Sequence, residues 1–264
     1  MKIAHVVPKN HLDLSDSGDF DFVLAHIALR SERYRRYFMG RRDREVYLDN
    51  GVWETGRPVD EAAMINLAVS MQPTCVYAPD YIGDASRTIE SVRHFCSMAR
   101  RDPGFKSRII ATSQGSTRDI WYACIKRLSE IEGVDIIAIP RHPVRDMFEY
   151  EVNRGLRMTK TRLEMCKLIE TDPDGFNGKS FYATGTGAAI CVKELAGFSW
   201  LTGIDTTMAC LLAGENVRIS GSFGGYKPEG QLDFDIKFTS EQRKIAAFNI
   251  DVLNRWAHGE KDSG

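Results

Sequence analysis

The sequence predicts a single (β/α)8 barrel, a TIM barrel, from three observations. Short β-rich runs alternate with longer helical patterns almost from end to end of the chain. The runs are continuously apolar or β-branched, which is typical of parallel strands covered on both faces. Eight units in 264 residues have about 33 residues each, the size of a βα repeat. A doubly wound open sheet is the alternative, because a sequence pattern does not show whether a sheet closes.

Most of the predicted strands end at Gly, Pro, Asp or Asn, which favour turns. The strands are expected at 2–7, 45–49, 74–79, 108–113, 134–139, 179–184, 198–204 and 217–220. Helical patterns are found at 19–39, 60–71, 84–101, 117–131, 159–170, 188–196, 205–214 and 240–257. Thr239 and Gln242 form a capping-box pattern at the start of the last helix. Because no Pro- or Gly-rich linker divides the pattern, we expect residues 1–264 to form one catalytic domain.

The composition excludes several classes of protein. With 35 Lys and Arg against 36 Asp and Glu, and 43% apolar residues, the chain is neither disordered nor basic as a whole. The six cysteines form no Cys-x-x-Cys pair and the histidines do not cluster, so neither a zinc site nor a disulfide scaffold is expected. No run is long and apolar enough to span a membrane, and the N-terminus does not resemble a signal peptide. These features predict a cytoplasmic protein without a membrane partner.

In a barrel of this class the active site lies at the C-terminal ends of the strands. The residues at those positions are mainly carboxylates, amides and glycines, and none is a lysine, which argues against a Schiff-base aldolase. They include Asp49-Asn50-Gly51, Asp80, Gln114-Gly115, Pro140-Arg141-His142, Gly185-Thr186-Gly187 and Asp205. The pattern predicts a pocket of carboxylates and amides without a metal.

The same strand ends carry a resemblance to the tRNA-guanine transglycosylases. Tyr47-Leu48-Asp49-Asn50-Gly51-Val52-Trp53-Glu54 resembles the family's Asp-Ser-Gly-Gly-Phe-Gln segment, and Ala78-Pro79-Asp80 resembles its second base-recognising Asp. Ser113-Gln114-Gly115 is similar to its Val-Gln-Gly turn, and the strand 133–139 to the one before its Gly-Gly-Leu loop. Tyr182-Ala183-Thr184-Gly185-Thr186-Gly187 is similar to its Tyr-Leu-Met-Gly-Val-Gly, and Asp205 stands near the place of its nucleophile. The motifs keep their order over residues 45–210.

Two departures narrow this resemblance. The family's zinc subdomain, which helps to hold tRNA, has no counterpart among the cysteines, and Ile204-Asp205-Thr206-Thr207 replaces Phe-Asp-Cys at the nucleophile. The compact form is more similar to the phage and bacterial relatives that put 7-deazaguanines into DNA. The resemblance thus implies a glycosyltransferase that replaces guanine by a free 7-deazaguanine, in DNA rather than tRNA, without a cofactor. If a phage encodes it, the enzyme would work in the host cytoplasm.

The resemblance also implies roles for individual residues. Asp205 would be the nucleophile that forms a covalent glycosyl-enzyme, and Asp49 the acid/base or a base-contacting carboxylate. Asp80 would accept from the guanine N–H edge, while Gln114 and the backbone of Gly115 would meet its carbonyl. Trp53 or Tyr81 would stack on the purine, with Gly185 beside it.

Several of these residues also have purely structural interpretations. Asp49 before Asn50-Gly51 can build a tight turn, and Asp84 and Asp205 can each cap the helix that follows. Gln114 can likewise be structural, and Gly185 can be a simple turn glycine.

Two arginine-rich segments are candidates for binding nucleic acid. Residues 30–44 contain seven arginines, with tyrosines interleaved, between the first two predicted strands. Phosphate neutralisation is one interpretation and a solvated helix face is the other. The second segment, 141–162, follows the fifth predicted strand at the catalytic mouth. The residues assigned to the nucleic-acid backbone are Arg35, Arg36, Arg41, Arg42 and Arg145.

Two other functions compete with base exchange. A barrel enzyme acting on a small phosphorylated metabolite would use Ser220-Gly221-Ser222-Phe223-Gly224-Gly225 as a phosphate loop after the eighth strand. A catalytically inactive paralogue that binds nucleic acid would account for the altered nucleophile motif. The sequence does not determine the oligomeric state.

Overall fold

The chain folds as a nearly closed (β/α)8 barrel, which confirms the predicted fold class. The computed structural model describes residues 1–41, 43–141, 153–172, 174–220, 226, 228 and 230–260. Within these residues the eight strands form one parallel sheet in the order β1-β8-β7-β6-β5-β4-β3-β2. The strands are β1 (Lys2–His5), β2 (Asp21–Leu24), β3 (Val46–Asp49), β4 (Cys75–Tyr77), β5 (Arg108–Thr112), β6 (Val134–Pro140), β7 (Ser180–Thr184) and β8 (Leu201–Thr206).

Helices surround the sheet and follow most of its strands. They are α1 (Ala25–Arg30), α2 (Glu32–Met39), α3 (Val52–Thr55), α4 (Glu61–Met71), α5 (Ala85–Arg101), α6 (Arg118–Ser129), α7 (Arg154–Glu170), α8 (Ile190–Leu195), α9 (Met208–Gly214) and α10 (Ser240–Ala257). The capping box predicted at Thr239 and Gln242 is present at the start of α10. Between β1 and β2 the structure has only a 3₁₀ helix, Leu12–Ser17, in place of an α-helix.

Two of the element predictions were wrong, and they are related. Residues 21–24 form β2, although they fall within the predicted helix 19–39, and residues 217–220 form no strand. All four residues of β2 are buried, so its apolar run fits a short helix pattern as well as a strand. The predicted last strand instead packs on α10, where the Ile219 amide donates to Asn249 Oδ1 at 2.8 Å. The proposed phosphate loop therefore does not follow a strand, and its residues 221–225 lie outside the described part.

Between β1 and β2 the barrel is joined not by a ladder but by Asp19, just before β2, through both its side chain and its backbone. The Ile3 amide donates to Asp19 Oδ2 and the Asp19 amide donates to the Ile3 carbonyl, both at 2.8 Å. Asp19 Oδ2 also lies 3.0 Å from Nε2 of His258, just beyond the end of α10. We call this joint the β1–β2 seam.

Aromatic rings fill the barrel below the C-terminal ends of the strands. Phe20 packs on Tyr47 with ring centroids 4.6 Å apart, and Tyr182 lies 5.6 Å from Tyr47 and 6.3 Å from Tyr77. A Cβ on Gly203 would lie 3.2 Å from the Tyr182 ring, so this glycine makes room for the ring. Because side chains alternate along a strand, Asp49 and Thr184, two positions after Tyr47 and Tyr182, also face inward and line the mouth.

Candidate active site

A cavity of about 120 Å³ opens at the C-terminal ends of the strands, where the barrel prediction places the active site. Its lining brings together six of the sequence-predicted residues from distant parts of the chain: Asp49, Trp53, Asp80, Gln114, Gly185 and Asp205. The three carboxylates come from the ends of β3, β4 and β8, so only the folded barrel places them on one cavity.

Asp80 is held between two side-chain amides. Its Oδ1 accepts from Asn50 Nδ2 at 2.7 Å, and its Oδ2 accepts from Gln114 Nε2 at 2.6 Å. Both amides have fixed orientations, because Asn50 Oδ1 accepts from the Val52 amide and Gln114 Oε1 from the Gly83 amide. Burial raises the pKa of Asp80 to about 6, against the opposing effect of these two hydrogen bonds. We call these three side chains the amide clamp.

Asp205 lies inside β8 and does not cap the next helix. That helix, α9, begins at Met208, whose amide donates to Thr206 Oγ1. The carboxylate of Asp205 instead accepts from the Tyr182 hydroxyl at 3.0 Å and from the Gly185 amide at 3.1 Å. Burial raises the pKa of Asp205, whereas both hydrogen bonds favour the ionised form. The side chain is 5% exposed, at the cavity wall.

Asp49 both builds a turn and lines the cavity. Its Oδ2 accepts from the Gly51 amide at 2.8 Å, and Gly51 has a φ of +73°, which favours glycine. Burial, followed by repulsion from the Glu54 carboxylate, raises the pKa of Asp49 well above its usual value, and Asp205 and Asp80 add to the shift. A raised pKa favours the protonated form of the Asp49 carboxyl group.

Glu54 is a functional candidate to which the sequence analysis assigned no role, and Arg141 entered it only as a strand-end residue and as part of the arginine-rich segment 141–162. The Arg141 guanidinium stacks 3.4 Å from the centre of the Trp53 ring, so one face of that ring is already covered. Burial lowers the pKa of Arg141 to about 10, and burial raises the pKa of Glu54. Glu54 Oε2 is buried without a hydrogen-bond partner in the structure. Their positions directly after β3 and β6 were the signal available in the sequence.

Gly115, Tyr81 and Asp84 were also considered in the sequence analysis, and in the structure each contacts a neighbouring helix or side chain. Gly115 packs against α6, where a Cβ would lie 2.5 Å from the backbone nitrogen of Trp121, and it does not line the cavity. Tyr81 is covered by the guanidinium of Arg87 at 3.7 Å from its ring centre. Asp84 caps α5, as its structural interpretation predicted, since its Oδ1 accepts from the Arg87 amide at 3.0 Å.

Of the arginines assigned to the nucleic-acid backbone, the three that the structure describes do not line the cavity. Arg41 lies at the opposite, N-terminal edge of the barrel, with its Nε 3.0 Å from the buried carboxylate of Asp21, the first residue of β2. Arg36 pairs with Glu32 on the surface of α2, and Arg35 lies on the same helix. Arg42 and Arg145 are outside the described residues.

The arginine-rich segment 141–162 is only partly at the mouth. Arg162 is completely buried, whereas Arg154 is exposed at the start of α7.

Among the residues that the structure describes, no three His, Cys, Asp or Glu side chains are grouped as metal ligands would be. No described helix is long and apolar enough to cross a membrane.

No protein-family model matches this chain, and no curated protein matches it.

Proposed function

We propose that this barrel is a base-exchange transglycosylase, which replaces guanine in a nucleic acid by a 7-deazaguanine. The observation that carries the proposal is the pairing of Asp205 with the amide clamp in one cavity. The Asp205 carboxylate accepts hydrogen bonds that favour its ionised form. Asp80 and Gln114 of the amide clamp present hydrogen-bond acceptors and donors in fixed directions. The order of motifs that resembles the guanine transglycosylases supports the same reaction.

The reaction would proceed in two displacements at the sugar. The Asp205 carboxylate attacks C1′, a C1′–O bond forms, and the bond from C1′ to the guanine nitrogen breaks. Asp49 gives its proton to the departing guanine. The incoming base then loses its N–H proton to Asp49 and attacks C1′, and the ester to Asp205 breaks. Two inversions retain the configuration, and Asp49 is protonated again at the end.

The amide clamp has hydrogen-bonding capacity left for a purine. Each oxygen of Asp80 accepts one hydrogen bond and keeps a lone pair for an N–H of the base. Gln114 uses one Nε2 hydrogen on Asp80, which leaves the second for a purine carbonyl. Asn50 uses both of its Nδ2 hydrogens, on Asp80 and on the Ala78 carbonyl, so it supports Asp80 without contacting the base.

Incorporation of labelled guanine and of labelled 7-deazaguanine into DNA and into tRNA tests the proposal. We expect label to enter DNA, and Asp205→Asn to abolish both exchange and a denaturation-resistant adduct between enzyme and nucleic acid. Asp84→Asn is the matched control, because it removes a carboxylate from a helix cap and leaves the cavity unchanged. Normal turnover by Asp205→Asn would remove Asp205 from the mechanism.

Other outcomes of the same assay point to other functions. Release of free base without replacement would indicate a glycosidase, and binding without exchange an inactive nucleic-acid-binding paralogue. Label in tRNA alone would correct the choice of substrate.

Among the described residues of segment 30–44, the surface of α2 is the candidate for contacts with phosphates. Replacing Arg35 and Arg36 with Ala should weaken nucleic-acid binding and reduce its salt dependence. An unchanged salt slope would leave these arginines as a solvated helix face. Arg41→Ala does not serve this test, because it also removes the nearer of the two arginines that pair with the buried Asp21.

A further inference from the structure

Arg162 of α7 is buried completely, yet its hydrogen bonds all go to backbone carbonyls and a thiol rather than to a carboxylate. Its Nε donates to the Pro140 carbonyl at 3.1 Å and its Nη2 to the Ile139 carbonyl at 3.2 Å, at the end of β6. Its Nη1 donates to the Gly185 carbonyl at 2.6 Å, and its Nη2 also donates to the Thr184 carbonyl. The guanidinium thus ties the ends of β6 and β7 together beneath the cavity.

One of these carbonyls belongs to the peptide group that contacts Asp205. The peptide between Thr184 and Gly185 accepts from Arg162 at its oxygen and donates from its nitrogen to Asp205 Oδ2. Hydrogen bonds in such a chain polarise one another, so a cation at the oxygen strengthens the N–H as a donor. Gly185 has a φ of +64°, a conformation that directs its N–H while its own carbonyl is also held by Arg162.

We infer that Arg162 is a positioning residue for Asp205, whose carboxylate it orients and whose ionised form it favours through the Thr184–Gly185 peptide group. That Asp205 is a nucleophile rests on the proposed function. The electrostatic link between Arg162 and Asp205 through the peptide group does not depend on it. A cation without a carboxylate in contact has a large cost of burial. Here the cation lies close enough to Asp205 to favour its ionised form.

Arg162 is one of several charged or titratable groups around Asp205. Tyr182 donates to it from β7, Tyr77 faces it from β4, and Asp49, Glu54 and Arg141 interact with it across the cavity. Tyr182 and Gly185 supply its two direct hydrogen bonds. Removing Arg162 should therefore change the ionisation of Asp205 while both direct donors remain.

The test is the titration of Asp205 followed by carboxyl ¹³C NMR in the full chain, with its signal assigned from the Asp205→Asn variant. We expect Arg162→Gln to raise the pKa of Asp205 by about one unit, the effect of losing a nearby opposite charge. Arg162→Lys keeps the charge and should restore part of the shift. An unchanged Asp205 titration in a folded Arg162→Gln protein would overturn the inference, whether or not the protein exchanges bases.

A second measurement needs no Arg162 variant. In the unmodified protein, the ¹⁵N signals of the Arg162 side chain and of the Gly185 amide should move with the same midpoint as Asp205. Both movements should disappear in Asp205→Asn. If the Arg162 signals do not respond to the ionisation of Asp205, the link is refuted even where Arg162→Gln fails to fold. Loss of exchange in the variant with an unchanged titration would assign Arg162 a merely structural part.

Discussion

Asp80 is expected to make the stability of the barrel depend on pH, and Asp80→Asn should remove that dependence. Burial raises its pKa from 3.8 to about 6. Between these values the unfolded chain loses the proton that the folded chain keeps, so stability falls as the pH rises. A shift of about two units corresponds to about 3 kcal/mol, fully present below pH 4 and lost above about pH 6.

Urea denaturation of both proteins at pH 4 and pH 7.5 measures this contribution. The unfolding free energy of the unmodified protein should fall relative to that of Asp80→Asn by about 3 kcal/mol between the two pH values. The variant also has a constant cost of about 1 to 3 kcal/mol, because an Asn amide group would face the donor of Asn50 or Gln114. A difference between the proteins that is equal at both pH values would refute the reasoning.

Three further predictions concern the cavity and its support. Tyr182→Phe removes one of the two direct hydrogen bonds to Asp205 and should raise the pKa of the Asp205 carboxyl group by about one to two units. An acid limb of the exchange pH profile that does not move would contradict this. Glu54→Gln removes a repulsion that raises the pKa of Asp49, so that pKa should fall and the alkaline limb of the same profile should move to lower pH. An alkaline limb that stays in place would exclude Asp49 as the acid. Gly115→Ala forces a Cβ onto the backbone of α6 and should destabilise the fold by about 1 to 3 kcal/mol in urea denaturation, whereas unchanged stability would show that α6 yields.

The sequence predicted the barrel because seven of its eight strands coincide with short apolar or β-branched runs that end at turn-forming residues. The strand at 21–24 was missed because four buried residues directly precede the helical pattern of α1 and merge with it. The β-branched run at 217–220 suggested a strand, but hydrogen bonding to α10 decides its conformation. The local sequence pattern indicates which residues are buried. The element against which they pack is determined by tertiary contacts, which the local pattern does not contain.

The site was predicted as far as the strand ends allowed. Asp49, Asp80, Gln114 and Asp205 line one cavity because the C-terminal ends of parallel strands meet at one edge. The amide of Asn50 and the hydroxyl of Tyr182 act on these carboxylates across long stretches of sequence, and no spacing rule reveals such partners. Arg41 was assigned to the nucleic-acid backbone because its partner was not recognised. That partner, the buried Asp21, lies in the strand that the sequence pattern missed.

The β1–β2 seam has a mechanical consequence for the cavity. Around the barrel, β8 and β3 flank the two strands of the seam, so Asp205 and Asp49 stand on either side of the joint. Elsewhere a ladder of backbone hydrogen bonds resists separation, whereas here Asp19 supplies much of the connection. Opening at this joint would change the distance between the Asp205 and Asp49 carboxylates, because the two strands that separate lie between them. Asp19, at the N-terminal edge of the barrel, would thereby help to fix the width of the cavity at the opposite edge.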